Sequence, residues 1–455
     1  MTEILVERTS ILPAPIAAAW AWHTREGAFE RLTPPWERVE VIARDPRGLV
    51  DGAEVSLRVR VGPLSLTWVA RHSVPHPGRG FDDTQVRGPF ASFHHARRLE
   101  SASAGETILS ESIRAVPPLG PLGALAAPGI RSVLERMLRW RHDILHEDLG
   151  LLMATPAAPM RIAITGATGL VGRALAPFLT TQGHTVVPVS RRALPGGIRW
   201  DPSSGDLDAA AWEGLDAVIH LAGENIAGKR WSAERKRALR DSRTGPTALL
   251  ARTLATLERP PRVLLSASAV GIYGDRGDAL LDEDASPAGD FLGELARDWE
   301  AAAEPARAAG IRVVHPRFGL ILTPAGGVLD RMLTPFRLGV GGRLGSGTQW
   351  MSWVAIDDVL GALHHALVTD GITGPMNVVA PDAVRNTEFT TTLGAVLSRP
   401  TILPVPAIAL RAVFGEMADA LLLASQRAEP SVLTATGYSF RYPELDVALR
   451  HLLGR

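Results

Sequence analysis

The stretch MRIAITGATGLVGRALAPFL (residues 160 to 179) constrains this chain more than any other, because a short apolar strand runs directly into three spaced glycines and then into a helical pattern. Met160 to Thr165 read as the strand, and Leu170 onward carries apolar residues at helical spacing. The three glycines differ in what they permit. Gly166 allows a sharp exit from the strand, Gly169 lets main-chain N–H groups approach a pyrophosphate, and Gly172 lets the helix lie close to the sheet. The start of the helix then turns its positive end and its free amides toward the phosphates. Three glycines alone say little, but a second strand at His184 to Ser190 completes the strand, turn, helix, strand unit that gives them meaning. Gly166, Ala167, Thr168, Gly169, Leu170, Val171 and Gly172 are therefore expected to hold a dinucleotide.

The end of that second strand selects between the two nicotinamide cofactors. An acidic residue there grips the ribose hydroxyls and repels a 2'-phosphate. Here the residues are Ser190, Arg191 and Arg192, and arginine offers a planar fork of donors to a phosphate, so NADP is favoured over NAD. The alternative, two solvated arginines at a strand end, leaves the preference open.

A chain of 455 residues is too long for a single hydrophobic core, which stops growing at roughly 250 to 300 residues. Residues 215 to 222 (LDAVIHLA) and 262 to 268 (RVLLSAS) supply further buried strands, and strands alternating with helices predict a doubly wound parallel sheet over residues 160 to 400. Leu151 to Pro159 reads as a linker. Acids and bases balance at 48 each, so no global field draws in nucleic acid, and small-molecule partners are expected. The absence of cysteine excludes thiol chemistry, and no metal site is expected, since the adjacent pairs His94–His95 and His364–His365 diverge on a strand or helix. No apolar run reaches the roughly 20 residues of a membrane span, and Glu3, Glu7 and Arg8 stand where a signal peptide is apolar, so a cytoplasmic protein is expected. The basic run GKRWSAERKRALRDSR is read as a solvated helix over the cofactor cleft. Nothing in the sequence fixes the oligomeric state.

The strings TGATGLVG, DAVIHLAGENI, SASAVGIYG and VAIDDV closely resemble extended short-chain dehydrogenases, a Rossmann-type family. More narrowly, GENIAGKRWSAERKRALRDSR, FRLGVGGRLGSGTQWMSWVAIDD and VLTATGYSFRYPELDVALRHLL are similar to the "epimerase family protein" subgroup of nucleoside-diphosphate-sugar epimerase relatives, which end in a small domain of unknown function, here residues 401 to 455. The likeness covers residues 160 to 455. It implies that Leu221, Ala222, Gly223 and Arg243 face the cofactor, that Ser266 and Ser268 end the catalytic strand with Ser268 on the substrate, and that Pro316 and Arg317 border the nicotinamide.

One part of the family pattern is missing. A tyrosine there acts as general acid and base, with a lysine four residues on to lower its pKa. This chain has only Tyr273, Tyr438 and Tyr442, followed at that spacing by Gly277, Tyr442 and Asp446, and its only lysines are Lys229 and Lys236. Alignment on the helix before Trp299–Glu300 puts Asp290 or Phe291 at the tyrosine position and Glu294 or Leu295 at the lysine position. Tyr273, five residues after Ser268, is a candidate proton carrier, although ionising an ordinary phenol at pH 7 costs about 4 kcal/mol; a turn residue is the other reading. Asp275, Asp290 and Glu294 have no better claim. Two functions stay open: an NADP-dependent oxidoreductase or epimerase acting on a hydroxyl- or carbonyl-bearing molecule, and an NADP-holding sensor without turnover.

Residues 1 to 150 lack a phosphate-binding turn. Val55, Leu57, Val59 and Val61 alternate with polar residues, Gly62–Pro63 turns the chain, and Leu64, Leu66 and Trp68 follow, as in an antiparallel hairpin. Strands at His94 to Leu99 and Thr107 to Ala115 precede a helix at Ile130 to Leu149, with Ile130, Val133, Leu134 and Met137 on its inner face. This α+β order resembles the helix-grip fold of START and polyketide-cyclase-like (SRPBCC) proteins. The resemblance implies either a cavity for an apolar ligand between sheet and helix or a filled core.

Overall fold

The computed structural model describes residues 3–61, 64–118, 120–205 and 207–455. They form two compact units: residues 1–158, joined by 180–183 and 453–455, and the rest of 159–452.

The first unit is a seven-stranded antiparallel sheet wrapped on one long helix. Its strands are β1 (Ile4–Leu12), β2 (Val39–Arg44), β3 (Glu54–Val61), β4 (Leu64–His76), β5 (Gly80–Arg87), β6 (Ser92–Ser101) and β7 (Thr107–Val116), in the order β1-β7-β6-β5-β4-β3-β2. The Gly62–Pro63 turn between β3 and β4 lies outside the described residues. Register shifts between Val69/Ala70 and between Ser73/His76 break the β4–β5 ladder, and such bulges bend a sheet. Two short helices, α1 (Ile16–Thr24) and α2 (Ala28–Arg31), follow β1, and α3 (Pro121–Ala154) closes the unit.

The helix is longer at both ends than the apolar spacing suggests, and Leu151–Ala154 form its last turn instead of a linker. Leu134, Leu138, Ile144, Leu145 and Leu149 are its buried stripe, whereas Val133 faces solvent. They meet Leu12, Trp22, Leu99, Leu109, Phe93 and Ile113 from α1 and the sheet. Within this interior Arg31 reaches Asp148 through two bonds, Nε to Oδ2 at 2.7 Å and Nη2 to Oδ1 at 3.0 Å.

The second unit is built on a parallel sheet. Its first elements are β8 (Arg161–Thr165), α4 (Leu170–Thr181), β9 (Thr185–Ser190), β10 (Ile198–Arg199), β11 (Ala217–His220), α5 (Ala233–Asp241), α6 (Thr244–Ala255), β12 (Val263–Ser266), β13 (Ser268–Ala269) and α7 (Phe291–Ala301). The strand order is β10-β9-β8-β11-β12, then Arg312–Phe318, which pairs with both β13 and Gly374–Val378. Every ladder in this sheet is parallel. The chain runs from β8 outward to β10 and returns to β11 on the other side, so the order reverses between β8 and β11. That reversal is where open α/β sheets bind their ligands. Among the described residues no helix is long and apolar enough to cross a membrane.

Removing Asp148 takes two charge-assisted hydrogen bonds from the buried Arg31 guanidinium. Asp148→Ala is expected to cost about 3–5 kcal/mol, read by urea denaturation, and the double replacement Arg31→Met/Asp148→Leu to recover most of it.

Candidate functional site

Three strand ends and one helix start form a cleft of about 1390 Å³. At the end of β8 the Thr165 hydroxyl meets His220 Nδ1 at 2.7 Å and accepts the Leu221 and Ala222 amides at 3.2 and 3.3 Å. Burial pushes His220 down to about 4, so the ring is neutral, and its Nε2 lies 3.0 Å from Thr247 Oγ1. These bonds fasten the segment after β11 to the end of β8 on either side of the reversal.

Gly166 adopts a φ of +70°, and a Cβ there would lie 3.0 Å from the Leu221 carbonyl. The Gly169 amide donates to Gly166 O at 2.9 Å, which closes the turn. A Cβ at Gly172 would sit 2.4 Å from Gly166 O and 2.7 Å from Ala167 Cα, so only glycine lets α4 begin this close to the strand. Thr165, Gly166, Thr168 and Gly169 line the cleft together with Ser190, Arg191, Arg192, Leu221, Ala222 and Gly223. Ala167, Leu170, Val171 and Gly172 form the turn and helix start behind that wall. Arg191 and Arg192 are exposed, and among the described residues neither forms an ion pair; the Arg192 amide donates to Ser190 Oγ at 3.2 Å. Free amides at a helix start, a turn too confined for side chains and two uncommitted guanidinium groups fit a dinucleotide phosphate.

A second pocket, of about 340 Å³, opens beside β13. Leu292, Leu295, Ala296 and Trp299 form one face of α7 toward it, at the i, i+3, i+4, i+7 spacing of a helical stripe. Met332, Trp350 and Met351 add apolar surface, and so do Leu421 and Leu422 from the C-terminal segment. Among the described residues Arg243 is the only ionisable side chain in this wall. Its guanidinium donates to Glu224 O at 2.8 Å and Leu239 O at 3.1 Å, lies 5.1 Å from the Trp299 ring, and is lowered to about 10, chiefly by burial.

The residues expected to carry catalysis do not line this pocket. Ser268 is 2% exposed and donates to Glu300 Oε1 at 2.6 Å; the residue of that strand end which opens on the pocket is Ala269. Arg317 grips the same carboxylate at 2.8 and 2.9 Å. Burial alone would raise the Glu300 carboxyl, but the hydrogen bonds and charge of Arg317 outweigh it and hold the group below its ordinary value. Tyr273 is fully buried, donates to Asn377 Oδ1 at 2.8 Å and accepts from Arg317 Nη1 at 2.9 Å. Burial raises this phenol, the candidate proton carrier, further above 10. Pro316 and Arg317 lie buried inside their strand, so Phe318, Gly319 and Leu320 are what border the pocket instead. Ser266 is fully buried and its hydroxyl makes no hydrogen bond.

At the positions of the missing pair, Asp290 caps α7 by accepting the Gly293 amide at 2.8 Å, Phe291 stacks edge-on against Trp231, Glu294 faces Arg240 at 3.5 Å, and Leu295 enters the pocket. Asp275 accepts the Ser425 amide at 3.2 Å. Among the described residues no cluster of His, Asp or Glu is arranged for a metal ion.

The apolar contribution of Ala420–Gln426 to the pocket was not foreseen. The only signal for it was the run Ala418 to Ala424, with almost no polar side chain in a C-terminal segment otherwise rich in charge.

The first unit holds a cavity of about 550 Å³ whose wall is partly ionic, with Asp83, Arg97 and Arg141 beside Phe29, Leu32 and Phe81.

Comparison with known proteins agrees with both folds. The family model described as polyketide cyclase/dehydrase and lipid transport matches residues 12–139, that of the NAD dependent epimerase/dehydratase family residues 162–379, and a domain of unknown function, DUF1731, residues 405–452. Epimerase family protein Mb2239 of Mycobacterium bovis is 44% identical over 296 residues, 65% of this chain and 98% of that protein. The crystal structure of the nucleoside-diphosphate sugar epimerase from Corynebacterium glutamicum matches 99% of this chain and 90% of its own at 35% identity, with a TM-score of 0.83. The human epimerase family protein SDR39U1 (isoform 2), crystallised with NADPH, matches 64% of this chain and 99% of its own at 38% identity, with a TM-score of 0.60. A helix-grip unit of the polyketide-cyclase type thus precedes an extended short-chain dehydrogenase unit and its DUF1731 segment, and the chain belongs to the epimerase family proteins.

Proposed function

We propose that residues 160–455 bind NADP(H) in the cleft at Gly166–Gly172 and use it to oxidise or reduce a small, largely apolar molecule bearing a hydroxyl or carbonyl group. The observation that carries this reading is the pair Arg191 and Arg192, exposed at the end of β9 without ion-pair partners among the described residues and lining the same cleft as the glycine turn. A 2'-phosphate there gains two planar donors, and a ribose hydroxyl pair gains none of the acidic grip that favours NAD. The NADPH in the structure of the human relative supports the same choice.

The substrate class follows from the second pocket. The relative from Corynebacterium glutamicum carries the name of a nucleoside-diphosphate sugar epimerase. A sugar diphosphate calls for several cations, however, and the described wall offers Arg243 alone, with Gln349, Ser352, Asn386 and Gln426 as its neutral polar side chains among leucines, methionines and tryptophans. An apolar ligand suits it better.

When bound, NADPH supplies a hydride. The α7 face and Trp350 exclude water from the pocket, and Arg243 holds positive charge where an oxyanion develops. With no tyrosine, lysine, histidine or carboxylate in the described wall, the oxygen stays anionic in the pocket and takes its proton from bulk water after the product leaves. This suits an acceptor of the quinone type, which leaves as a resonance-stabilised anion. A second reading, an NADP-holding protein without turnover, is favoured by the same missing acid–base group.

NADPH absorbance followed in the presence of apolar ketones, quinones and sugar nucleotides separates the two. Oxidation by quinones or ketones and not by sugar nucleotides is expected; tight binding with no oxidation by any of them supports the non-catalytic reading. Arg191→Ala/Arg192→Ala is expected to weaken NADPH at least tenfold and NADH less than threefold in calorimetric titration, roughly the effect of losing charge-assisted phosphate contacts. Equal losses would contradict the assignment of the two arginines. Tyr273→Phe is expected to change turnover less than about threefold while costing about 1 kcal/mol of stability through the lost Asn377 bond.

A further inference from the structure

The cavity of the first unit contains a guanidinium, that of Arg141, which forms no ion pair among the described residues. Asp83 in its wall is committed to Arg97 Nη1 at 2.7 Å and His72 Nδ1 at 2.5 Å. Behind it Glu111 is held by His95 at 3.1 Å and by Arg97 Nε at 3.4 Å. Asp45 and Glu54 pair with Arg47 and Arg71 at 2.6 and 2.8 Å, and Glu26 is exposed. Arg141, which reaches the cavity from α3, makes one hydrogen bond, from Nε to Leu32 O at 2.9 Å, and forms no ion pair among the described residues. Its two terminal nitrogens are uncommitted. Removal from water, with Arg97 nearby, pushes this guanidinium down to about 10. A second polar atom of the wall, His23 Nε2, is also unpartnered, because the ring spends Nδ1 on Ala19 O at 2.8 Å.

We propose that this cavity binds a small amphiphile by its carboxylate, which pairs with the free edge of Arg141 while its apolar body lies on Phe29, Leu32 and Phe81. A neutral apolar ligand would leave the two terminal nitrogens of Arg141 without hydrogen-bond partners, since Glu111, Asp83 and Glu37 act on its charge only from a distance and none pairs with it. A volume of about 550 Å³ accommodates a molecule of drug-like size beside that contact. The inference concerns the first unit alone and stands independently of the cofactor reading.

Calorimetric titration of the full chain with decanoate and decanol, and with 1-naphthoate and 1-naphthamide, tests it and separates a lipid-like from an aromatic body. At least one carboxylate is expected to bind tenfold or more tightly than its neutral partner. Arg141→Met is expected to abolish that preference, Arg141→Lys to keep part of it, and both to leave NADPH affinity unchanged. Equal affinity of carboxylate and neutral partner, carboxylate binding undiminished in Arg141→Met, or no binding of any of the four probes would overturn the proposal. Should Arg141→Met fail to fold, the comparison within the wild-type chain decides, together with a 1-naphthoate co-crystal, in which the carboxylate must lie on Arg141.

Discussion

The second unit depends on one close approach. Helix α4 starts so near the end of β8 that position 172 has no room for a single carbon beyond the backbone, a Cβ there falling 2.4 Å from Gly166 O. With α4 held at this distance, the Thr168–Gly169 turn that leads into it lines the cleft, and the positive end of the helix dipole lies just behind that turn. The neighbouring strand end is fixed to match, since Thr165 ties both Leu221 and Ala222 through their amides. The cleft is thus a property of the backbone, and few side chains are needed to make it.

This explains which parts of the molecule were legible in the sequence. Glycines at 166, 169 and 172 report local backbone constraints, and the alternation of apolar strands with helices reports the layer order, so the cleft and the doubly wound sheet could both be read directly. Side-chain direction at a strand end is a different matter. Successive residues of a strand face opposite sides, so a shift of one position exchanges the inside for the outside. Ala269 and not Ser268 opens on the pocket, and Phe318 and not Arg317, for this reason. The first unit shows the same parity. In β6, Phe93, His95, Arg97 and Leu99 point inward while His94, Ala96 and Arg98 are less buried, so a histidine and an arginine enter the interior with the apolar residues. Apolar periodicity does not report this ionic interior, because charged residues are seldom buried unless paired.

Where the proton-transfer pair is missing, the chain has placed a scaffold. Glu300 on α7 receives Ser268 and Arg317, Arg317 reaches the Tyr273 hydroxyl, and Asn377 extends the network to Glu429 O at 2.8 Å. Glu283 adds the Asn377 and Val432 amides at 2.9 and 3.2 Å. The network joins α7, three sheet strands and the C-terminal segment whose Leu421 and Leu422 complete the apolar pocket. Buried ion pairs of this kind contribute little net stability against well-packed apolar residues, but breaking one strands a charge, so they fix one arrangement over its alternatives. The polar groups that a dehydrogenase would turn toward its substrate here hold the pocket in shape.

The most direct test of this account is a crystal structure of the chain grown with NADPH. The pyrophosphate is expected over the amides that begin α4 and the 2'-phosphate between Arg191 and Arg192, with the nicotinamide directed toward Ala269 and the α7 face. A cofactor bound away from the Gly166–Gly172 turn, or a 2'-phosphate touching neither arginine, would contradict it.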